Sequence, residues 1–205
     1  MSEKETTCMT IIPATPAHAA DIAQLIMTAM TEDCCQYLAG KEHTLDDFYH
    51  MMLDLVLMDD SQYSWRNTFV AVDEEATEGN VEYAPVAGAI VGYNGADLHR
   101  LRRRFQEEAL KQLQMDYSQM DDETEAGEFY LDSLAIYPEY RRRGIARQLL
   151  KRATEHAASL NRPAALLVDK GNPNAERLYR SVGFEYCNDA MWGGHEMRHL
   201  RCPIA

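Results

Sequence analysis

The sequence predicts an α/β fold: a mixed, mostly antiparallel central sheet with one βαβ crossover, flanked by helices. Three observations predict it. A strand-like run, Phe129–Ile136, passes through a short loop into an amphipathic helical stretch and then into a second apolar run, Ala164–Val168, which is the pattern of a crossover between parallel strands. Strand-like runs at Thr68–Val72 and Val86–Tyr93 follow one another directly, as do two runs between Phe184 and Leu200 around Gly193-Gly194. Stretches with helical spacing of apolar residues separate these groups, giving the order β-α-α-β-β-insert-β-α-β-α-β-β.

In chain order, Thr10–Pro13 is a short first strand, and Thr15-Pro16 supplies an N-cap with proline at the first helical position. The helix that follows aligns Ile22, Leu25, Ile26, Ala29 and Met30 on one face. Thr44 and Asp47 have the spacing of a capping box, and Phe48, Met51, Met52, Leu55 and Val56 continue a second amphipathic helix. An acidic, glycine-containing connection spans Asp73 to Tyr83 between the next two strands. Residues 94–128 form a charged insert too long for a tight strand connection. Its first part carries Leu98, Leu101 and Phe105 at helical spacing among arginines, predicting a partly exposed helix; its acidic second part, Asp121–Gly127, predicts a mobile loop. After the crossover, Asn172-Pro173 caps a helix with Ala175, Leu178, Tyr179 and Val182 inward and Gly183 as its stop.

The 205 residues suit a single domain, 1–205, and an apolar content of 46% is that of a packed core. No run of about 18 apolar residues is present, and the start Met-Ser-Glu-Lys-Glu lacks a signal pattern, so a cytoplasmic protein with no membrane partner is expected. Five cysteines without C-x-x-C spacing fit free thiols in a reducing compartment. A net charge of −13 argues against nucleic acid as a partner and leans toward cationic substrates.

The chemistry concentrates after Ile136. Pro138 ends the strand, and Arg141, Arg142, Arg143 and Gly144 lead into a helix whose buried face begins at Ala146. The first N–H groups of a helix lack intrahelical partners and its dipole favours an anion there, while glycine admits a bulky group such as a pyrophosphate. These residues describe an anion cradle.

Together with Leu134, Ala135 and Ile136, the loop Arg141-Arg-Arg-Gly144-Ile145-Ala146 resembles the R/Q-x-x-G-x-G/A motif of the GNAT superfamily of N-acetyltransferases. Asn174-Ala-Glu-Arg-Leu-Tyr179-Arg-Ser-Val-Gly183-Phe184 is similar to that family's N-x-x-A-x-x-L-Y-x-x-x-G-F helix. The resemblance covers Phe129 to Phe184; the N-terminal half fits by element order. It implies a GNAT-like sheet with acetyl-CoA, as co-substrate, in a splay between the strands ending at Ile136 and Val168. The backbone of Leu134–Ile136 would pair with the pantetheine, and the N–H groups from Arg142 to Ala146 would hold the pyrophosphate. Asn174 would touch the pantetheine arm, and Tyr179 would point its hydroxyl at the thioester sulfur. An amine would then lose a proton, attack the thioester and expel a thiolate, which Tyr179 would protonate. Family members differ in how the amine is deprotonated. Asp132, placed by strand alternation on one face with Tyr130, Leu134 and Ile136, and Glu128, at the strand entrance, are the candidates, with water as the alternative. An inactive CoA-binding regulatory module is the other outcome the resemblance allows; Tyr179 weighs against it.

His195-Glu-Met-Arg-His199 satisfies H-E-x-x-H, but that zinc chemistry needs a helix. On a strand the two histidines stand roughly 13 Å apart and cannot share an ion, so no metal is expected. Gly144 stands eight residues beyond Ile136 without glycine partners, which excludes a dinucleotide fingerprint, and Cys187 has no identifiable base.

Overall fold

Among the described residues there are seven strands, the first five from runs rich in β-branched, aromatic or aliphatic residues: Met9–Pro13 (β1), Thr68–Asp73 (β2), Val86–Asn94 (β3), Phe129–Ile136 (β4), Ala164–Asp169 (β5), Glu185–Trp192 (β6) and His195–Cys202 (β7). They form one sheet in the order β1-β2-β3-β4-β5-β7-β6. Every neighbouring pair is antiparallel except β4 with β5, which the crossover makes parallel. The sheet is the mixed, mostly antiparallel one expected. The structure, a computed structural model, describes residues 9–74, 81 and 84–204. Most of the acidic connection expected at 73–83, the start Met1–Glu5 and Cys8 lie outside these.

Among the described residues six α-helices cover the sheet: Ala19–Met30 (α1), Glu32–Ala39 (α2), Leu45–Leu57 (α3), Leu98–Leu113 (α4), Ile145–Ser159 (α5) and Pro173–Arg180 (α6). Strand alternation divides the apolar residues between two faces. Val70, Val72, Ala89 and Val91 pack against α1, α3 and α4 through Ile22, Leu25, Phe48, Met51, Met52 and Phe105. Ala71, Ile90 and Leu131 pack on the other side against Leu149, Leu150 and Ala153 of α5. Leu149 is fully buried, so its truncation to alanine is worth about 2–5 kcal/mol.

Three differences from the sequence reading have physical causes. Helix α2 was not expected, because Glu-Asp-Cys-Cys-Gln-Tyr-Leu-Ala has little apolar periodicity; it is held by the Thr31 cap and by burial of Cys35, Leu38 and Ala39. The acidic segment after α4 is tied down rather than loose: Asp122 and Glu123 bind Arg102, Thr124 donates to Glu128, and Asp121 accepts from the Gly193 N–H. Their common partner Arg102, on a helix expected to be partly exposed, is the buried end of those ion pairs.

The third difference is a bulge in β4. Val91 stands opposite Ser133 but Gly92 opposite Leu131, so Asp132 is an extra residue without a partner on β3. Strict alternation therefore fails there. Asp132 stays with Tyr130, whereas Leu134 and Ile136 turn to the opposite face with Phe129 and Leu131, against α5.

Candidate active site

β4 and β5 pair only at Phe129↔Ala164 and Tyr130↔Ala165. Beyond that point β4 continues to Ile136 and β5 to Asp169, held by their outer partners β3 and β7, so the two strands splay. At the fork the Leu167 backbone hydrogen-bonds to the Tyr130 hydroxyl, partly replacing the lost ladder.

A cavity of about 360 Å³ opens on the splay. Asp132, Ser133 and Leu134 of β4 face Leu167, Val168 and Asp169 of β5 across it. Ala175 and Tyr179 of α6 form another wall, and Trp192, His195 and Met197 of the β6–β7 hairpin a further one. Thr31 and Cys34 line it near the α1–α2 junction, where Thr31 has φ 74° and ψ 155°. That conformation strains a β-branched residue by about 1–3 kcal/mol, and such strain gathers at functional sites. Its hydroxyl caps α2 by accepting from the Cys34 N–H.

Asp132 is the carboxyl group of the β4 wall. Its Oδ1 accepts from the Ser133 hydroxyl at 2.8 Å, and its Oδ2 lies 3.5 Å from Gln62 Nε2. Burial pushes its carboxyl up to about 6, against the opposing pull of Ser133, Arg102, Gln62 and Tyr93. Above that pH it is a carboxylate matched to taking a proton near neutrality. Glu128, the other candidate, is occupied. Thr124 donates to its Oε1 at 2.7 Å; His199 Nε2, at 3.1 Å, and Arg201 Nη2, at 2.8 Å, hold its Oε2. Burial alone would raise its carboxyl, but these partners hold it at about 2. It fastens the entrance of β4 to β7, away from the residues that line the cavity.

Tyr179 lines the cavity from α6 and packs its ring 6.0 Å from that of Phe184. Burial raises its hydroxyl to about 12, so it carries a proton at any physiological pH. Asn174 is exposed, and its side-chain oxygen accepts from Arg177. Asn172, two residues earlier, is the α6 N-cap, accepting from Ala175 N at 3.1 Å, and it is the asparagine that lines the cavity.

The loop before α5 is exposed from Arg141 to Gly144. Arg141 Nε donates to Ile136 O at 3.0 Å and Arg143 Nη2 to Glu139 O at 2.9 Å, so two of the three guanidinium groups brace the loop. Arg142 has φ 66°, and Gly144, the N-cap of α5, has φ 80°. A Cβ on Gly144 would meet nothing within 4 Å. The free N–H groups of the first α5 turn, at Ile145 and Ala146, therefore have open space in front of them. That is room a pyrophosphate requires.

His195 and His199 lie on β7, as the strand reading requires, and have separate partners: His195 Nδ1 is 3.2 Å from Asp169 Oδ2, while His199 faces Glu128 and Asn188. No cluster of three or more potential metal ligands occurs among the described residues. The sequence reading missed Glu123, Asp169, Trp192 and His195 as cavity residues. Apart from His195, which the H-E-x-x-H match singled out for a different chemistry, no local pattern marks them, since they are brought in by the sheet order; the acidic composition of the insert was the one other signal.

A family model for the GNAT acetyltransferase family matches residues 38–184. Among solved structures, an N-acetyltransferase from Staphylococcus aureus Mu50 is similar at 24% identity and TM-score 0.77, over 94% of this chain and 99% of that one. A crystal structure described only as an acetyltransferase gives 23% identity and TM-score 0.75 over 96% and 100%. Arabidopsis thaliana NAA60, solved in complex with acetyl-CoA, gives 17% identity and TM-score 0.57 over 95% and 98%. No curated protein sequence matches.

Proposed function

The chain belongs to the GNAT acetyltransferase family, and from that premise we propose that it is an N-acetyltransferase moving an acetyl group from acetyl-CoA to a primary amine by direct attack on the thioester. One observation carries the reading: β4 and β5 part after two residue pairs, and the cavity there is faced by both a carboxylate raised to about 6 and a protonated phenol. A proton acceptor and a proton donor on different walls are what this transfer needs.

When bound, acetyl-CoA supplies an activated acyl group and a thiolate leaving group. The residues that would hold it are the backbone of Leu134, Ala135 and Ile136 on the edge that β5 leaves, the N–H groups from Arg142 through Ile145 to Ala146, and Asn174 at the start of α6. Gly144 leaves the approach open, and Arg141 and Arg143 keep the loop in shape. Asp132 takes the proton of the arriving ammonium, and the Tyr179 hydroxyl gives its proton to the departing sulfur. Residues 1–205 act as one domain in this scheme, with 94–128 as its charged insert.

A panel of amines incubated with acetyl-CoA and read by mass detection tests the proposal. One class is expected to gain an acetyl group with release of CoA. Calorimetric binding of acetyl-CoA with no acetylated product from any amine would reassign the chain as a CoA-binding module without catalysis.

A further inference from the structure

A line of buried groups runs from the insert to Asp132. Arg102 of α4, with 3% of its side chain exposed, donates through Nη1 to Asp122 Oδ1 at 2.9 Å and to Met120 O at 3.3 Å. Its Nη2 binds Glu123 Oε2. Glu123, itself buried and lining the cavity, accepts at Oε1 from the Tyr93 hydroxyl at 2.8 Å. Tyr93 also faces Asp132 and favours its ionised form. One phenol, its proton held by Glu123, thus stands between two carboxylates, and one guanidinium stands behind them.

We propose that Arg102 and Glu123 are positioning residues for proton transfer at Asp132, acting through Tyr93, and that the insert thereby governs the charge of the base. The proposal rests on the reading of Asp132 as that base. A plain structural ion pair would need neither a cavity-lining carboxylate nor a phenol between it and Asp132.

The other groups facing Asp132 leave this control to the pair. From β4 come Ser133 and Tyr130, from β3 Tyr93, and from the segment before β2 Gln62 and Tyr63. Burial raises all three phenols well above their ordinary value, so they stay neutral while Asp132 titrates. Cys34, across the cavity, is also raised by burial and stays a thiol. Across the cavity Asp169 is paired with His195 at 3.2 Å in every variant, and the charges that remain are Arg102 with its partners Asp122 and Glu123. The guanidinium favours ionised Asp132; Glu123 disfavours it.

The two roles have opposite signs, which a structural role would not produce. The acid limb of kcat/KM for one verified acceptor amine reports the free enzyme's base. In Arg102→Gln it is expected to move to higher pH, and in Glu123→Gln, which keeps the acceptor for Tyr93, to lower pH. Each displacement should be on the order of half a pH unit, below the roughly 1–3 units of a direct ion pair. Should Arg102→Gln not fold, as judged by circular dichroism, the isosteric Glu123→Gln still reads its own direction. An acid limb unmoved in the folded variants, with activity abolished in Asp132→Asn, would overturn the relay and leave the base in place. Full activity and an unchanged limb in Asp132→Asn would remove the base assignment, and this inference with it.

Discussion

Asp132 and Glu128 are four residues apart on the chain, and their carboxyls are moved in opposite directions, to about 6 and about 2. Glu128 lies below its unfolded value, so its contribution to stability is complete above the ordinary glutamate range and is lost as pH falls toward about 2. Glu128→Gln is expected to lower the melting temperature at pH 7 and to approach wild type in acid, as thermal unfolding at the two pH values will show. Asp132 lies above its unfolded value, so its charge weakens the fold above about pH 6, and the penalty fades as pH falls through that value. Asp132→Asn should therefore raise the melting temperature at pH 8, by an effect on the order of 2 kcal/mol, while abolishing turnover. A lower melting temperature at pH 8 would show that the carboxylate stabilises the fold. Tyr179→Phe keeps the packing on Phe184 and removes one hydroxyl. Turnover should drop toward about 10²–10⁴-fold with acetyl-CoA affinity largely kept, if thiolate protonation limits the rate. An undiminished rate, with chemistry shown to be limiting, would make it a packing residue. Asp132 and Tyr179 were legible because strand spacing and the helix motif single them out. The face on which Leu134 and Ile136 lie was not, because a one-residue bulge leaves no mark in a period-two pattern.

At the scale of elements, strong periodicity was readable and weak periodicity was not. Helix α5 buries Leu149, Leu150, Ala153 and Ala157 at the expected spacing, its buried face starting at Ile145 rather than at Ala146. Helix α2 depends on a cap and three buried side chains within eight residues; such a helix is stabilised by its tertiary setting more than by propensity. The loop before α5 yields a direct test. Gly144→Glu places a side chain at φ 80° and a carboxylate before the free N–H groups, in space that is otherwise open. Acetyl-CoA binding is expected to weaken at least about tenfold, with the fold intact, since one charge-assisted hydrogen bond is worth roughly 1.5–3 kcal/mol. Unchanged affinity by calorimetry would remove this loop from the binding account.

At the scale of the molecule, the sequence made the sheet legible but not the cavity. Element order and one crossover are enough to arrange the strands, whereas the cavity draws walls from residues 31, 123, 132, 179 and 195, which meet only after the sheet has formed. The splay between β4 and β5 also bears on hydrogen exchange. Strands in the middle of a sheet ordinarily hold the slowest-exchanging amides. Here the inner-edge N–H groups of β4 beyond Leu131 and of β5 beyond Ala165 lack strand partners across the gap. In the free protein these segments should take up deuterium faster than β2 and β3, which are paired along their length. On addition of acetyl-CoA they should slow together while β1 and β2 stay unchanged. A uniform change across the sheet, or none at 131–136 and 166–169, would place the bound molecule elsewhere. The centre of the sheet would then serve as an internal gauge of occupancy that needs no label and no acceptor amine.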